Sequence, residues 1–422
     1  MTGAVESEEL PLAIGQSRMF DALREDPALR MGMWWGFRIP GELDMDCLTD
    51  SVEILVSRHD ALRIEIVERP GGEPRQRIRG VPPRADLISC QNVVARSPEQ
   101  FSRYIRHIVG QEQLRKWELD AYPFRFRLFR YSPTVNALVV CFSHMALDGI
   151  GAEIAIRDLM SIYEDKLAGR TSRALPRRAF ADSLLRWAAA DGRGSPRTAQ
   201  ADPSDMVSAT RFDVPPPDPG DPGCRSWQVS LSLFGTELKS LREQASLRGC
   251  TEFTWILAAF ARTVFQFTCE DRIKIAVPVN MRGPAERDVV GMYLLVFPVV
   301  IERPRDADGG RGFVAGVGSA LLRAMVRHRW TRQASGANLS VLYQKVLGDS
   351  RKFRLAARHY MPRVDYWTSG VGVKVFSYPA VLDVHVVLDS GVFSQESAMD
   401  VFEALKRNMT SDSGWSGRHG AG

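Results

Sequence analysis

A chain of 422 residues with 45% hydrophobic side chains is long enough for two ordinary domains or one large one, each with a substantial core. A net charge of +5 with 25% charged residues falls short of the dense Lys/Arg clustering of a nucleic-acid binder. No run nears the ~18 to 20 uninterrupted apolar residues that span a bilayer, and the acidic start MTGAVESEELPLAIGQ lacks the positive and apolar regions of an export signal. A cytoplasmic protein with no nucleic-acid or membrane partner is expected. Cys47, Cys90, Cys141, Cys224, Cys250 and Cys269 have no CxxC spacing, which predicts free thiols and no metal site.

In chain order, the pattern predicts a helix over 14–23, a strand in MWWGFRI (33–39) and a helix over 47–58. RIEIVER and RQRIRG read as a strand pair joined at Pro70-Gly71-Gly72. Ser97 followed by Pro98 and Gln100 matches a capping box, so a helix should run from Pro98 towards Trp117. The strands FRFRLFRY and ALVVCFS follow. After Gly149, Ala152, Ile156, Leu159 and Tyr163 share one helical face, and Gly169 stops that helix.

Residues 173–225 change character: Pro, Gly, Ser and Asp dominate around a short helical piece, DSLLRWAAA, and the stretch reads as a crossover linker between residues 1–172 and 226–410. The second half restarts with the strand SWQVSLSL and a helix over 236–248. Thr251 can cap EFTWILAAFARTVFQF, which is apolar on most faces and therefore expected to be buried. The strands KIAVPVNM and GMYLLVFPVVI, a helix over 312–330, the strand LDVHVVL and a final amphipathic helix complete it, with residues 411–422 read as a disordered tail.

The chemistry concentrates where LVVCFS ends in His144-Met145-Ala146-Leu147-Asp148-Gly149. A strand emerging from a core delivers its last side chain to a surface or cavity, and an imidazole placed there is a base with an unperturbed pKa near ~6.5. Asp148 and Gly149 supply a turn carboxylate and a tight backbone. A Ser143-His144-Asp148 triad is excluded: neighbouring strand residues point to opposite faces, and the chain has no GxSxG elbow.

HxxxDG stands in order with PLAIGQSRMF, SRHDALRIEI (57–66) and VPVNMRG (277–283). On these segments the chain resembles the condensation domains of nonribosomal peptide synthetases, within the chloramphenicol acetyltransferase-like acyltransferases, from about Leu10 to Asn408. The resemblance implies an α/β (α+β) fold of two similar lobes in a V-shaped pseudo-dimer, with a through-going tunnel between them and His144 midway. One mouth would take the phosphopantetheine arm of an acyl or peptidyl carrier protein, the other a small amine or alcohol acceptor. It implies no tightly bound cofactor. It further implies that Asp148 turns from the histidine to pair with Arg282, with Gly149 supporting the site, and that Ser143, Asn280, Leu295 and Ser369 (in DYWTSGVG) are candidate tunnel-lining residues. The family usually carries a second histidine where this chain has Ser143, and an asparagine where it has Leu295.

His59 and Arg63 in RHDALR read as structural, His107 as a helix-surface residue and His385 in LDVHVVL as a sheet histidine, since no second ligand lies at metal-binding spacing. The expectation is a free-standing condensation enzyme without its own adenylation or carrier module, forming an amide or ester from a carrier-bound thioester. Two rivals share the fold: an acyl-CoA-dependent acyltransferase, although the DFGWG segment of plant BAHD enzymes is missing, and a noncatalytic recruitment module.

Overall fold

The computed structural model describes residues 9–27, 29–113, 115–170, 180–191, 207–215, 226–304, 310–328, 337–346 and 370–410. These divide into two compact units. The first holds the described residues up to 191 together with 280–294, and the second holds the rest.

The first unit contains β1 (Leu10–Pro11), α1 (Ile14–Glu25), β2 (Gly32–Pro40), α2 (Met45–Arg58), β3 (Ile64–Val67), β4 (Arg75–Ile78), α3 (Arg84–Leu87), β5 (Ser89–Asn92), α4 (Pro98–Gln113), β6 (Phe124–Ser132), β7 (Val135–Ser143), α5 (Gly149–Leu167) and α6 (Phe180–Asp191). Its main sheet runs β2-β7-β6-β5, beside a small sheet β1-β4-β3. The run LVVCFS is apolar on consecutive positions because β7 lies between two strands and is covered on both faces. Leu138, Val140 and Phe142 join the core under α2 and α5, while Ala137, Val139 and Cys141 join the core of Phe101, Ile105 and Val109 from α4. Both helices follow their local signals. Asp44 caps α2 by accepting from Cys47 N–H at 2.9 Å. At α4, Ser97 accepts from Gln100 N–H at 3.2 Å, and the Gln100 side chain returns to Arg96 N–H, one residue before the expected Ser97.

The short piece read as part of the linker is α6, and it is built into the first unit. Phe180 and Leu184 are buried, and the Asp60 carboxylate accepts from both Phe180 N–H and Ala181 N–H at 2.9 Å. An acid 120 residues away in the chain thus satisfies the open first turn of this helix. Asp60→Ala is expected to cost about 2 kcal/mol, from a lost cap plus two stranded donors, one buried and one partly buried; a urea titration that finds less than about 0.5 kcal/mol would remove Asp60 as the cap. The rest of the expected linker is either outside the described residues or, at 207–215, part of the second unit, where Thr210 N–H bonds Asn338 at 2.9 Å.

The second unit contains β8 (Ser226–Phe234), α7 (Gly235–Leu247), α8 (Glu252–Gln266), β9 (Arg272–Asn280), β10 (Leu294–Glu302), α9 (Arg311–His328), β11 (Leu339–Lys345), β12 (Val371–Ser377), β13 (Val381–Asp389) and α10 (Gln395–Thr410). Six strands order as β10-β9-β11-β12-β13-β8, with β11 parallel to both β9 and β12. β11 and β12 have no counterpart among the elements expected from sequence. On β12 Lys374 interrupts the apolar pattern, its charge desolvated so that its pKa falls to about 8. α8 is capped by Thr251 as expected and buried nearly all round. Among the described residues no helix is long and apolar enough to cross a membrane. The expected tail, 411–422, lies outside the described residues.

Candidate active site

β7 ends at Ser143, and the chain turns at once. His144 N–H donates to Met31 O at 2.6 Å, extending the β2–β7 pairing by one bond. Ser143 then closes the turn twice: its carbonyl accepts from Ala146 N–H at 3.0 Å and its Oγ accepts from Met145 N–H at 3.3 Å. Ser143 is 2% exposed, facing a cavity of about 10 Å³ bordered by Ile64, Trp117, Pro123 and Met145. Its hydroxyl braces the turn within the first unit. The His144 side chain is half-buried.

Asp148 follows as the N-cap of α5. Its Oδ1 accepts from Gly151 N–H at 2.7 Å, and its Oδ2 accepts from Arg282 Nη1 at 2.7 Å and from Tyr293 N–H at 2.8 Å. Three donors on one carboxylate, two of them at separations of 134 and 145 residues, make Asp148 the pin that holds residues 280–294 in the first unit. The backbone is pinned too, Asp148 N–H donating to Gly291 O at 3.2 Å.

Arg282 and Asp148 are a buried pair, with side chains 2% and 1% exposed. The guanidinium compensates its own desolvation. It reaches Val289 O (3.3 Å), Gly291 O (2.9 Å) and Asn280 Oδ1 (3.1 Å) as well as the carboxylate, and it lies 4.4 Å from the centre of the Tyr293 ring. Gly149 is the first residue of α5 and half-buried. A close backbone approach is seen at Gly151, where a Cβ would sit 2.9 Å from Gly291 O. Any side chain there would push residues 280–294 away from Asp148.

The remaining candidates separate. Asn280 ends β9, exposed, and is bonded to Arg282 through both N–H and Nη1 at 3.1 Å. Leu295 lies on the buried face of β10 with Phe297 and Val299, 7% exposed, in the second unit. Ser369 lies outside the described residues. His59 is buried with Nε2 3.1 Å from Asp158 Oδ2, and Arg63 donates to Val56 O and Arg79 O. His107 is exposed on α4. His385 has Nδ1 2.8 Å from Ser230 Oγ on the neighbouring strand, and burial lowers its pKa. Among the described residues no three His, Cys, Asp or Glu side chains cluster as metal ligands.

Sequence reading missed Tyr293, whose hydroxyl donates to Ser183 Oγ at 2.9 Å while its ring meets Phe180 and Trp187 edge-on. Residues 291–293 had been read as strand; β10 begins only at Leu294. Gln16 was noted only as part of a motif, yet its Nε2 donates to Met145 O at 2.8 Å. No local signal announces either contact.

A buried strand delivering a histidine, a helix capped by the following aspartate, and an arginine that closes on that aspartate define an α/β protein of the HxxxDG class. The Condensation domain family model matches residues 9–330, and the chain belongs to that family. It is 23% identical over 419 residues to CymA, a probable non-canonical nonribosomal peptide synthetase of Salinispora arenicola, covering 94% of this chain and 5% of CymA. Its fold is similar to that of the starter condensation domain of rhizomide synthetase RzmA, with TM-score 0.73, 14% identity, and 98% of each chain covered. It is equally similar in fold to a chain of the complex of the X-domain and OxyB from teicoplanin biosynthesis, with TM-score 0.73, 16% identity, and coverage of 97% of this chain and 94% of the other.

Proposed function

We propose that the chain is a condensation catalyst. It moves an acyl or aminoacyl group from the phosphopantetheine thioester of a carrier protein to an amine or alcohol, forming an amide or ester in natural-product biosynthesis in the cytoplasm. The observation that carries this reading is the division of labour in HxxxDG: Asp148 is engaged by Gly151, Arg282 and Tyr293, while the half-buried His144 opens a turn whose backbone is bonded on both sides of it.

In the reaction, the acceptor nitrogen or oxygen attacks the thioester carbonyl and its proton passes to neutral imidazole. The tetrahedral intermediate then expels the thiolate, which takes the proton from the imidazolium. General-base help of this kind is worth ~10²- to 10⁴-fold. Asp148 and Arg282 keep the loop in place and do not exchange protons with substrate.

The donor is tested by offering the same acyl group on a carrier protein and on coenzyme A, with intact-mass detection of acyl loss. Turnover from the carrier at least about tenfold more efficient is expected, because the protein surface adds binding that CoA lacks. Comparable efficiency with acyl-CoA would replace the carrier by CoA. The second reading, a noncatalytic recruitment domain, is favoured by the similarity to the X-domain solved with OxyB. A protein that binds a tailoring enzyme and leaves every thioester unreacted would take that reading's side.

A further inference from the structure

Gln16 and Gln76 form a buried amide pair, both 0% exposed, in the first unit. Gln16 Nε2 donates to Gln76 Oε1 at 3.0 Å, and Gln76 Nε2 returns to Gln16 Oε1 at 2.9 Å. The outward bonds determine which way each amide faces. Ala13 N–H, a donor, meets Gln16 Oε1 at 2.8 Å. Two backbone carbonyls meet the NH₂ groups, Pro11 O at Gln76 (2.8 Å) and Met145 O at Gln16 (2.8 Å). Flipping either amide would set acceptor against acceptor, so the pair has one arrangement.

Met145 is the residue after His144. With His144 N–H held by Met31 O and the Met145 carbonyl held by Gln16, the backbone is bonded just before and just after the imidazole's Cα. We propose that Gln16, braced by Gln76, is a positioning residue for His144: by fixing the Met145 peptide it sets the direction in which the ring leaves the turn. This rests on the acyl-transfer reading for its consequence in catalysis, but its geometric content stands apart from it. A misplacement of the order of an ångström at a reacting group costs about 10²-fold, whereas a buried amide that served stability alone would leave ring and rate unchanged in the folded protein. An apolar residue at position 16 would leave the Met145 carbonyl, the Ala13 N–H and one side of Gln76 without these partners, and the turn would relax.

The test uses the full chain labelled at histidine Cε1, with the His144 resonance assigned by its loss in His144→Ala, and a pantetheine thioester as the activity probe. Gln16→Met is expected to shift the His144 resonance and its titration midpoint, and to lower kcat by about 10- to 100-fold with KM for the thioester within about threefold. Asn408→Leu is the control. It removes a buried bond to Thr263 Oγ1 (2.9 Å) in the second unit, lowers the Tm, and leaves the His144 resonance and kcat where they were. An unmoved His144 resonance in folded Gln16→Met overturns the proposal whatever happens to turnover. If Gln16→Met does not fold, Gln76→Met keeps the bond to Met145 and removes the brace together with its bond to Pro11 O; a smaller displacement of the same sign supports the proposal and none overturns it. A wild-type protein without turnover of a carrier-bound thioester would defeat the acyl-transfer reading and leave the resonance to decide the role of Gln16.

Discussion

His144→Ala is expected to lower kcat by ~10²- to 10⁴-fold while the Tm stays within about 2 °C of the parent. The two halves of this expectation come from different parts of the turn. The bonds that hold it are made by the His144 backbone N–H, by Ser143 and by Gln16 to Met145 O, and none of these involves the imidazole. The half-buried ring therefore contributes less to stability than a core side chain would. Asp148 is not the group that would rescue the reaction, because its carboxylate is engaged with Gly151, Arg282 and Tyr293. Unchanged turnover in a folded His144→Ala protein would end the catalytic reading.

The largest stability effect is expected at Arg282. Arg282→Ala leaves a buried carboxylate with two backbone N–H donors and no counter-charge, at a cost of about 3 to 5 kcal/mol by denaturant unfolding. Asp148→Asn should cost less, because the guanidinium keeps Val289 O, Gly291 O and Asn280, and the neutral side chain can still cap α5. The double variant should then lose less than the sum, since each single change strands the other partner. Additive losses would mean that the two residues stabilise the protein independently, and a loss under about 1 kcal/mol for Arg282→Ala would mean that solvent reaches the pair. Because Arg282 anchors residues 280–294 to the first unit, the same variant should also lower kcat.

Much of the fold was legible in local pattern. The caps at Ser97 and Thr251, the strand ending at Ser143 and the all-round apolar α8 follow from residues within a turn or two of each other. The misreadings also have a local cause. α6 sits in a Pro/Gly-rich neighbourhood, and nothing within its own twelve residues indicates that Asp60 caps it. Leu295 drew attention as a missing polar group, and the alternation of β10 places it on that strand's buried face.

By itself the sequence determined the α/β class, the order of most helices and strands, and the position of a histidine at the end of a buried strand. Periodicity and capping are short-range properties, set by side chains a few residues apart. Tertiary structure alone decided which further groups hold the turn around that histidine: Tyr293 N–H on Asp148, Gln16 on Met145 O, and Ser143 folded into its own turn. Hydrogen bonds between residues 129 to 145 positions apart depend on the path of the chain through several packed elements, and no local pattern encodes that path.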